Sequence, residues 1–499
     1  MRVRSERPRT ARWARALRGE AGPTVVALAL LTLAFVATAS FGAITLPATG
    51  SQDSYDHLDY VLQVARGGLP EPVGHVFVPA GWDVGVERIV ERRQFASAHP
   101  PGYYWVSGLL VGGLLEAGDA DRASWELAVA LLRGLNVALG VGGLLWLAHA
   151  GWHLGGRLRA YAAVALPAGG AFSYAYLRFG AEVYGDMLLT LASIGAVVLA
   201  ATVLVRGLTT GRLVGITVVC VIGMLTKSTF VLPLALACGA VLIAGMARQE
   251  GGRLARVLRA TALPLLPAIA AIAASGWFYA RNVAASGTWY RSTPKEPLDG
   301  RPYRTALDVL TDPQFYAIVP SRLVGTWADQ ALPAGAASAA LFAALAVVTA
   351  RLLATRFPMP GTPSATGWWA TAVMLVALLA GGYVMQLSHA TGYGAYNARY
   401  FLVATPAIAA ILVVGLIAVP VLRTAAIPLV AAALIAGSCL SMGVHATSLG
   451  GTVGPELLLL VAAGAVAALA TALPLAWLEI RRGAVPHSTP AASPGGTGP

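Results

Sequence analysis

The run TVVALALLTLAFVATASFGAI, residues 24–44, decides the class of the fold. It contains no charged residue and is long enough to cross a bilayer as an α-helix, which takes about 20 residues. The segment before it, MRVRSERPRTARWARALR, is strongly basic, and the positive-inside rule places such a segment in the cytoplasm. Ala37-Thr38-Ala39 has the form of a signal-peptide cleavage site. The apolar run exceeds the ~7–15-residue core of a signal peptide, however, so the segment reads as a first membrane span.

The rest of the chain repeats this pattern. Of 499 residues, 57% are hydrophobic and 12% charged, and the mean hydropathy is +0.68, which excludes an ordinary soluble domain. The net charge of +12 comes almost wholly from arginine, since Lys227 and Lys295 are the only lysines. Those arginines sit mainly in short loops between apolar runs, where they orient spans, so nucleic acid is not expected as a partner. Cys220, Cys238 and Cys439 stand singly within apolar segments and read as packing residues.

Further spans are expected near residues 128–153, 160–178, 186–205, 213–227, 229–246, 260–279, 335–353, 368–387, 398–419, 424–440 and 455–478, about twelve in all. The apolar part of HPPGYYWVSGLLVGGLL (99–115) is short for a span and reads as a re-entrant or interfacial helix. This count keeps both termini cytoplasmic in a multi-pass plasma-membrane protein, with the arginine loops at 157–159, 206–212, 248–259, 351–356, 423 and 481–482 inside. The expected organisation is a basic N-terminus (1–23), an all-α membrane domain (24–482) and a disordered tail (483–499) rich in Pro, Gly and Ser. Within the membrane domain, a first outer loop (45–127) and a long outer loop (280–334) face the other side, together with the turn at Asp186 and the loop near 388–399.

The first outer loop opens with SQDSYDHLDYVLQVARGGLP (51–70). As a helix it places Tyr55, Leu58, Leu62 and Ala65 on one side and Asp53, Asp56, His57 and Tyr60 on another, an amphipathic helix lying on a bilayer with its polar side toward water or a ligand. Asp53 also suits a plain N-cap. Glu182, Asp186 and Lys227 lie within or at the ends of apolar segments, where charges pair or serve a function. Asp186 also suits a helix start, and Lys227 could simply snorkel. The long outer loop carries Arg281, Arg291, Lys295, Arg301, Arg304 and Arg322 among aromatic residues such as Trp289 and Tyr290. Arginines outside run against the topological bias and ask for an anionic partner such as phosphate, or lipid headgroups in general. Arg399 suits the same role.

Nucleotide-activated donors are cytoplasmic, so a transferase acting outside needs a donor delivered within the membrane, such as a lipid-linked phosphate. A single carboxylate that activates an acceptor hydroxyl then suffices, because phosphate leaves a sugar without much acid help.

The ordered set D53-S-Y-D-H57-L-D-Y60-V, G67-G-L-P70, H99-P-P-G-Y-Y-W105, G185-D186-M-L-L-T, L225-T-K-S, G276-W-F-Y-A-R281-N and N397-A-R399-Y-F-L resembles the bacterial GT-C superfamily of glycosyltransferases, in the branch of the protein O-mannosyltransferases and aminoarabinose transferases. The resemblance implies a GT-C helix bundle with a polyprenyl-phosphate-linked sugar as donor. The acceptor would be a protein, a glycolipid or a polysaccharide. It implies a catalytic Asp in the first outer loop; Ser54 interrupts the family's acidic pair here, so Asp53 and Asp56 are alternatives for the base, with Asp186 assisting. Arg281, Arg399 and Lys227 are the expected phosphate-binding groups, and His57, Tyr60, His99, Tyr103 and Glu182 the expected substrate neighbours. Some members bind a divalent metal, to which His57, His99 and Glu182 could contribute, although no ligand spacing requires it. The alternative function is a transporter or flippase of lipid-linked glycans, which would share the buried charges; no internal repeat of the kind common in transporters is evident. A non-enzymatic membrane scaffold would have no need of Asp53, Asp186 and the outer arginines.

Overall fold

The structure, a computed structural model, describes residues 20–47, 52–70, 73–75, 91–115, 122–247, 253–290, 302–316, 365–418, 420–448 and 452–484. The chain runs through α1 (Ala21–Thr45), α2 (Gln52–Ala65), β1 (Val73–His75), β2 (Glu91–Arg93), α3 (Gly102–Leu115), α4 (Arg122–Leu154), α5 (Arg159–Gly170), α6 (Tyr174–Ala181), α7 (Asp186–Arg206), α8 (Thr210–Met224), α9 (Val231–Ala247) and α10 (Arg253–Ser286). It continues through α11 (Ala306–Leu310), α12 (Ala365–Tyr393), α13 (Thr405–Ala418), α14 (Pro420–Ser448), α15 (Pro455–Ala470) and α16 (Ala472–Ala484). The expected helical membrane protein is therefore observed. One small departure is an antiparallel ribbon between α2 and α3, with Val73 opposite Arg93 and His75 opposite Glu91.

Nine helical segments among the described residues are long and apolar enough to cross a membrane, and they coincide with nine of the twelve expected spans. Of the other three, residues 335–353 lie outside the described residues, as do the N-terminus before Glu20 and the tail after Ala484. The segment near 213–227 is α8, apolar but only 15 residues long. The segment near 160–178 is not one helix: α5 stops at Gly170 and α6 starts at Tyr174. Pro167 followed by Gly169 and Gly170 accounts for the break, since these residues are the weakest helix formers and hydropathy alone does not register them.

Packing places α7 at the centre of the bundle, against α4, α8 and α9, while α1 packs on α15 and α5 on both α4 and α13. Asp186 heads α7, and the 3₁₀ turn Ala398–Ala404 that leads into α13 packs against the same helix. The two most enclosed spans thus begin at one end of the bundle, each with a charged residue. At the opposite end, Arg482 and Arg159 both bind Glu20, and Arg482 also donates to the Arg157 carbonyl. The start of the first span, the α4–α5 loop and the end of the last span therefore share one end.

A second apolar cluster holds α2 and α3 against the first turns of α4, with Leu58, Tyr60, Leu62, Tyr104, Trp125 and Leu132 among its members. Arg133 of α4 donates to the carbonyls of Ala43, Leu46 and Pro47, satisfying groups that the end of α1 leaves unpaired just before α2.

Candidate active site

At the end of the bundle where α7 begins lies a cavity of about 570 Å³, within the range usual for small-molecule sites. Its lining comes from three of the four segments expected on the outer side and from the end of the expected span that precedes the fourth, the turn at Asp186. The first supplies His57, Phe95 and His99; the 178–186 region, Arg178; the long outer loop, Trp289 and Tyr290; the 388–399 region, Ser388, His389, Tyr393, Tyr396, Asn397 and Arg399. Lys227, Ser228 and Thr229, from the turn between α8 and α9, complete it.

The polar side of helix α2, expected to face water or a ligand, does not face water: every residue from Ser54 to Leu62 is buried, with Asp56 fully so. The covering groups come from distant sequence. Gln94 donates to the Asp56 carbonyl (2.9 Å) and to Asp59 (2.6 Å). Tyr60 stacks on Tyr104 at 3.7 Å and donates to the His99 carbonyl. His57 Nδ1 lies 2.7 Å from the Tyr104 hydroxyl, with the Tyr184 ring 4.4 Å from its own. The helix projects His57 into the cavity; Asp53 stands in its first turn, and the Asp53 side chain is outside the described residues.

The Lys227 ammonium donates to Asp186 Oδ1 at 2.7 Å, and both side chains are almost fully buried. Burying an ammonium is tolerable only with such a partner. The second carboxylate oxygen of Asp186 accepts no hydrogen bond from the described residues. Lys227 has extended backbone between Met224 and the 3₁₀ turn Ser228–Phe230, and the turn is clamped by Gly102, whose amide donates to the Leu225 carbonyl at 2.8 Å. Only glycine fits there, because a Cβ would stand 2.6 Å from that oxygen.

Arg178 reaches the cavity while its Nε donates to Glu182 (2.9 Å) and a terminal nitrogen meets His445 Nε2 (3.1 Å). Asn397 accepts from the Arg399 amide, and its own amide donates to buried Gln386, so the 3₁₀ turn bearing Arg399 is fixed on α12. Tyr396 and Arg304 both donate to Asp312 Oδ2 at 2.6 Å, joining the segment around α11 to the cavity wall.

Of the residues expected at the site, His57, His99, Lys227 and Arg399 line the cavity, and Asp186 adjoins it through Lys227. Asp56, Tyr60, Tyr103 and Glu182 are buried outside its lining. Arg281 is also outside the lining. The helix expected to end near residue 279 continues to Ser286, and Arg281 donates through one terminal nitrogen to the Pro70 carbonyl, tying α10 to the segment after α2. Among the described residues, no three His, Cys, Asp or Glu side chains are grouped to hold a metal ion. Burial, followed by the nearby positive groups Lys227, His57 and Arg399, pushes the His99 imidazole well below its ordinary pKa, so it is neutral.

The expected set lacked Arg178, His389, Tyr396 and Asn397. Arg178 carried one readable signal, its i, i+4 spacing to Glu182.

No family model matches the sequence, and no curated protein does. Among solved structures, the chain is similar to ArnT from Cupriavidus metallidurans bound to undecaprenyl phosphate, with a TM-score of 0.49 and 12% identity over 89% of this chain and 75% of that one. It is also similar to ArnT from the same organism in the apo state, with a TM-score of 0.45 and 14% identity over the same shares.

Proposed function

We propose that this chain is a membrane glycosyltransferase that moves a hexosyl or pentosyl group from a polyprenyl-phosphate-linked donor to an acceptor hydroxyl on the extracytoplasmic face. The observation that carries the reading is the convergence of Arg178, Lys227 and Arg399 on one cavity at the end of an apolar bundle. Guanidinium and ammonium groups suit a phosphate, and the surrounding apolar helices suit a prenyl chain.

In the proposed reaction, the acceptor oxygen attacks the anomeric carbon and forms the new C–O bond. The bond from that carbon to the phosphate oxygen breaks, and its electron pair leaves with polyprenyl phosphate. The acceptor proton passes to an Asp carboxylate at the head of α2, Asp53 or its alternative Asp56, and the anomeric configuration inverts. Arg399 and Lys227 stabilise the departing phosphate, and Asp186 holds Lys227 in place. His57 and His99 border the reacting groups, His99 as a neutral imidazole.

The same cavity would suit a flippase of lipid-linked glycans, and one experiment separates the two. Proteoliposomes holding the full chain are given a polyprenyl-phosphate-linked radiolabelled sugar. Release of free polyprenyl phosphate with the label moved to an acceptor supports transfer; movement of intact donor between leaflets supports transport. Loss of release in Arg399→Ala is the expected companion result.

A further inference from the structure

Resting on the glycosyltransferase reading above, we propose that the acceptor is itself a carbohydrate, held at the mouth of the cavity in the corner formed by Trp289 and Tyr290, whose rings meet edge-on at 5.8 Å, with a sugar ring stacked on one and bordered by the other. Both side chains line the cavity, yet they are 39% and 40% exposed. Large aromatic groups left open at the rim of a polar site offer flat apolar area with little rotamer entropy to lose. The C–H face of a sugar ring is the ligand chemistry that such area fits.

The pair is built rather than incidental. Helix α10 ends at Ser286, and Gly287 turns the chain with a φ of +71°, a conformation that favours glycine. The Ser286 hydroxyl accepts from the Thr288 amide and donates to the Thr288 carbonyl, which tightens the turn. Asn282, fully buried, donates both to the Trp289 carbonyl (3.3 Å) and to the Ala98 carbonyl (3.2 Å), beside His99. Tyr279 meets the Trp289 ring edge-on at 5.8 Å and is itself anchored through its hydroxyl to the Met224 carbonyl. The aromatic rim therefore has a fixed position relative to His99 and to the turn bearing Lys227.

An ordinary membrane-interface aromatic belt would also put Trp and Tyr at a helix end, but its side chains face lipid. Trp369 of α12 gives the contrast: it is 53% exposed and does not line the cavity. Besides Trp289 and Tyr290 the cavity lining offers Ser388, His389 and Asn397, polar side chains of the kind that pair with sugar hydroxyls.

The test is saturation-transfer difference NMR on the full chain in lipid nanodiscs. The probes are methyl pyranosides, methyl furanosides and linear oligosaccharides, with a Ser- and Thr-containing peptide beside them. The expected result is saturation of the ring protons of at least one saccharide. It should fall about five-fold or more in Trp289→Ala and in Tyr290→Ala, and persist in Trp289→Phe and Trp369→Ala. Saturation of the peptide alone, of no probe, or of a saccharide equally in wild type and both alanine variants overturns the proposal. Thermal stabilisation by undecaprenyl phosphate is read on the same samples. If that lipid stabilises the wild type and no saccharide binds, the acceptor inference alone fails; if neither binds, the glycosyltransferase reading fails with it.

Discussion

Lys227 and Asp186 form a buried ion pair, Nζ to Oδ1 at 2.7 Å, that joins the turn after α8 to the first residue of the central helix α7. The lysine lines the cavity and the aspartate stands behind it. Removing one partner leaves a buried charge uncompensated, which costs about 3–5 kcal/mol. Asp186→Asn and Lys227→Met should each lower the unfolding midpoint in detergent strongly. The double variant should lose far less than the sum of the two, by a coupling of about 1–3 kcal/mol. Additive losses would mean that the two side chains do not depend on each other.

Gly102 offers a sharper probe of how that lysine is placed. In Gly102→Ala the new methyl meets the Leu225 carbonyl at 2.6 Å and must push the turn away. A loss of about 1–3 kcal/mol is expected, with reduced sugar transfer. Gly113→Ala on the same helix meets nothing within 4 Å and should be neutral or slightly stabilising. Equal behaviour of the two variants in thermal unfolding would contradict the clamp.

The clamp also shows how unevenly the molecule is written in its sequence. Nine spans were readable because each is a long apolar run, and length against bilayer thickness is a robust signal. The division of the tenth into α5 and α6 was not, because Pro167, Gly169 and Gly170 lower the hydropathy too little to interrupt the apolar run while weakening the helix. At the site, His57, His99, Lys227 and Arg399 stood out as polar residues in or beside apolar surroundings. Arg178 and His445, 267 residues apart, gave no sign of meeting. The enclosure of α2 by Gln94, Tyr104 and Tyr184 was equally invisible, since amphipathicity reports which side is polar and not what will cover it.

His99 gives the protein a pH dependence of predictable sign. Its imidazole titrates well below the ordinary value in the folded protein, because of burial and then of Lys227, His57 and Arg399. The unfolded chain, with a pKa near 6.5, therefore takes up a proton that the folded chain refuses. Stability from this group is complete above about pH 6.5 and declines as the pH falls below it, by up to about 1.4 kcal/mol per unit. The difference in melting temperature between wild type and His99→Gln should accordingly shrink between pH 7 and pH 5, values that bracket the ordinary His pKa of about 6.5. A constant difference would show that His99 does not carry the effect.

Asp312 receives hydrogen bonds from Tyr396 and Arg304, and these bonds hold its carboxyl below the usual range although burial acts to raise it. Its contribution is present above the ordinary Asp pKa of about 4 and is lost as the pH falls through the lower folded value. Tyr396→Phe removes one bond and should free residues 302–316 from the cavity wall at a cost of about 1 kcal/mol. Faster hydrogen exchange confined to that segment is the expected signature. Unchanged exchange would show that the contact does not hold the segment.

The most direct test of the central claim is transfer of labelled sugar from a polyprenyl-phosphate donor by the wild-type chain, Asp53→Asn and Asp56→Asn in the same membranes, with folding checked for each. The account predicts that one of the two variants, Asp53→Asn first, loses transfer by about 100-fold or more while the other keeps most of it. Wild-type transfer in both variants would contradict a carboxylate base at the head of α2 and leave that helix as a structural cap.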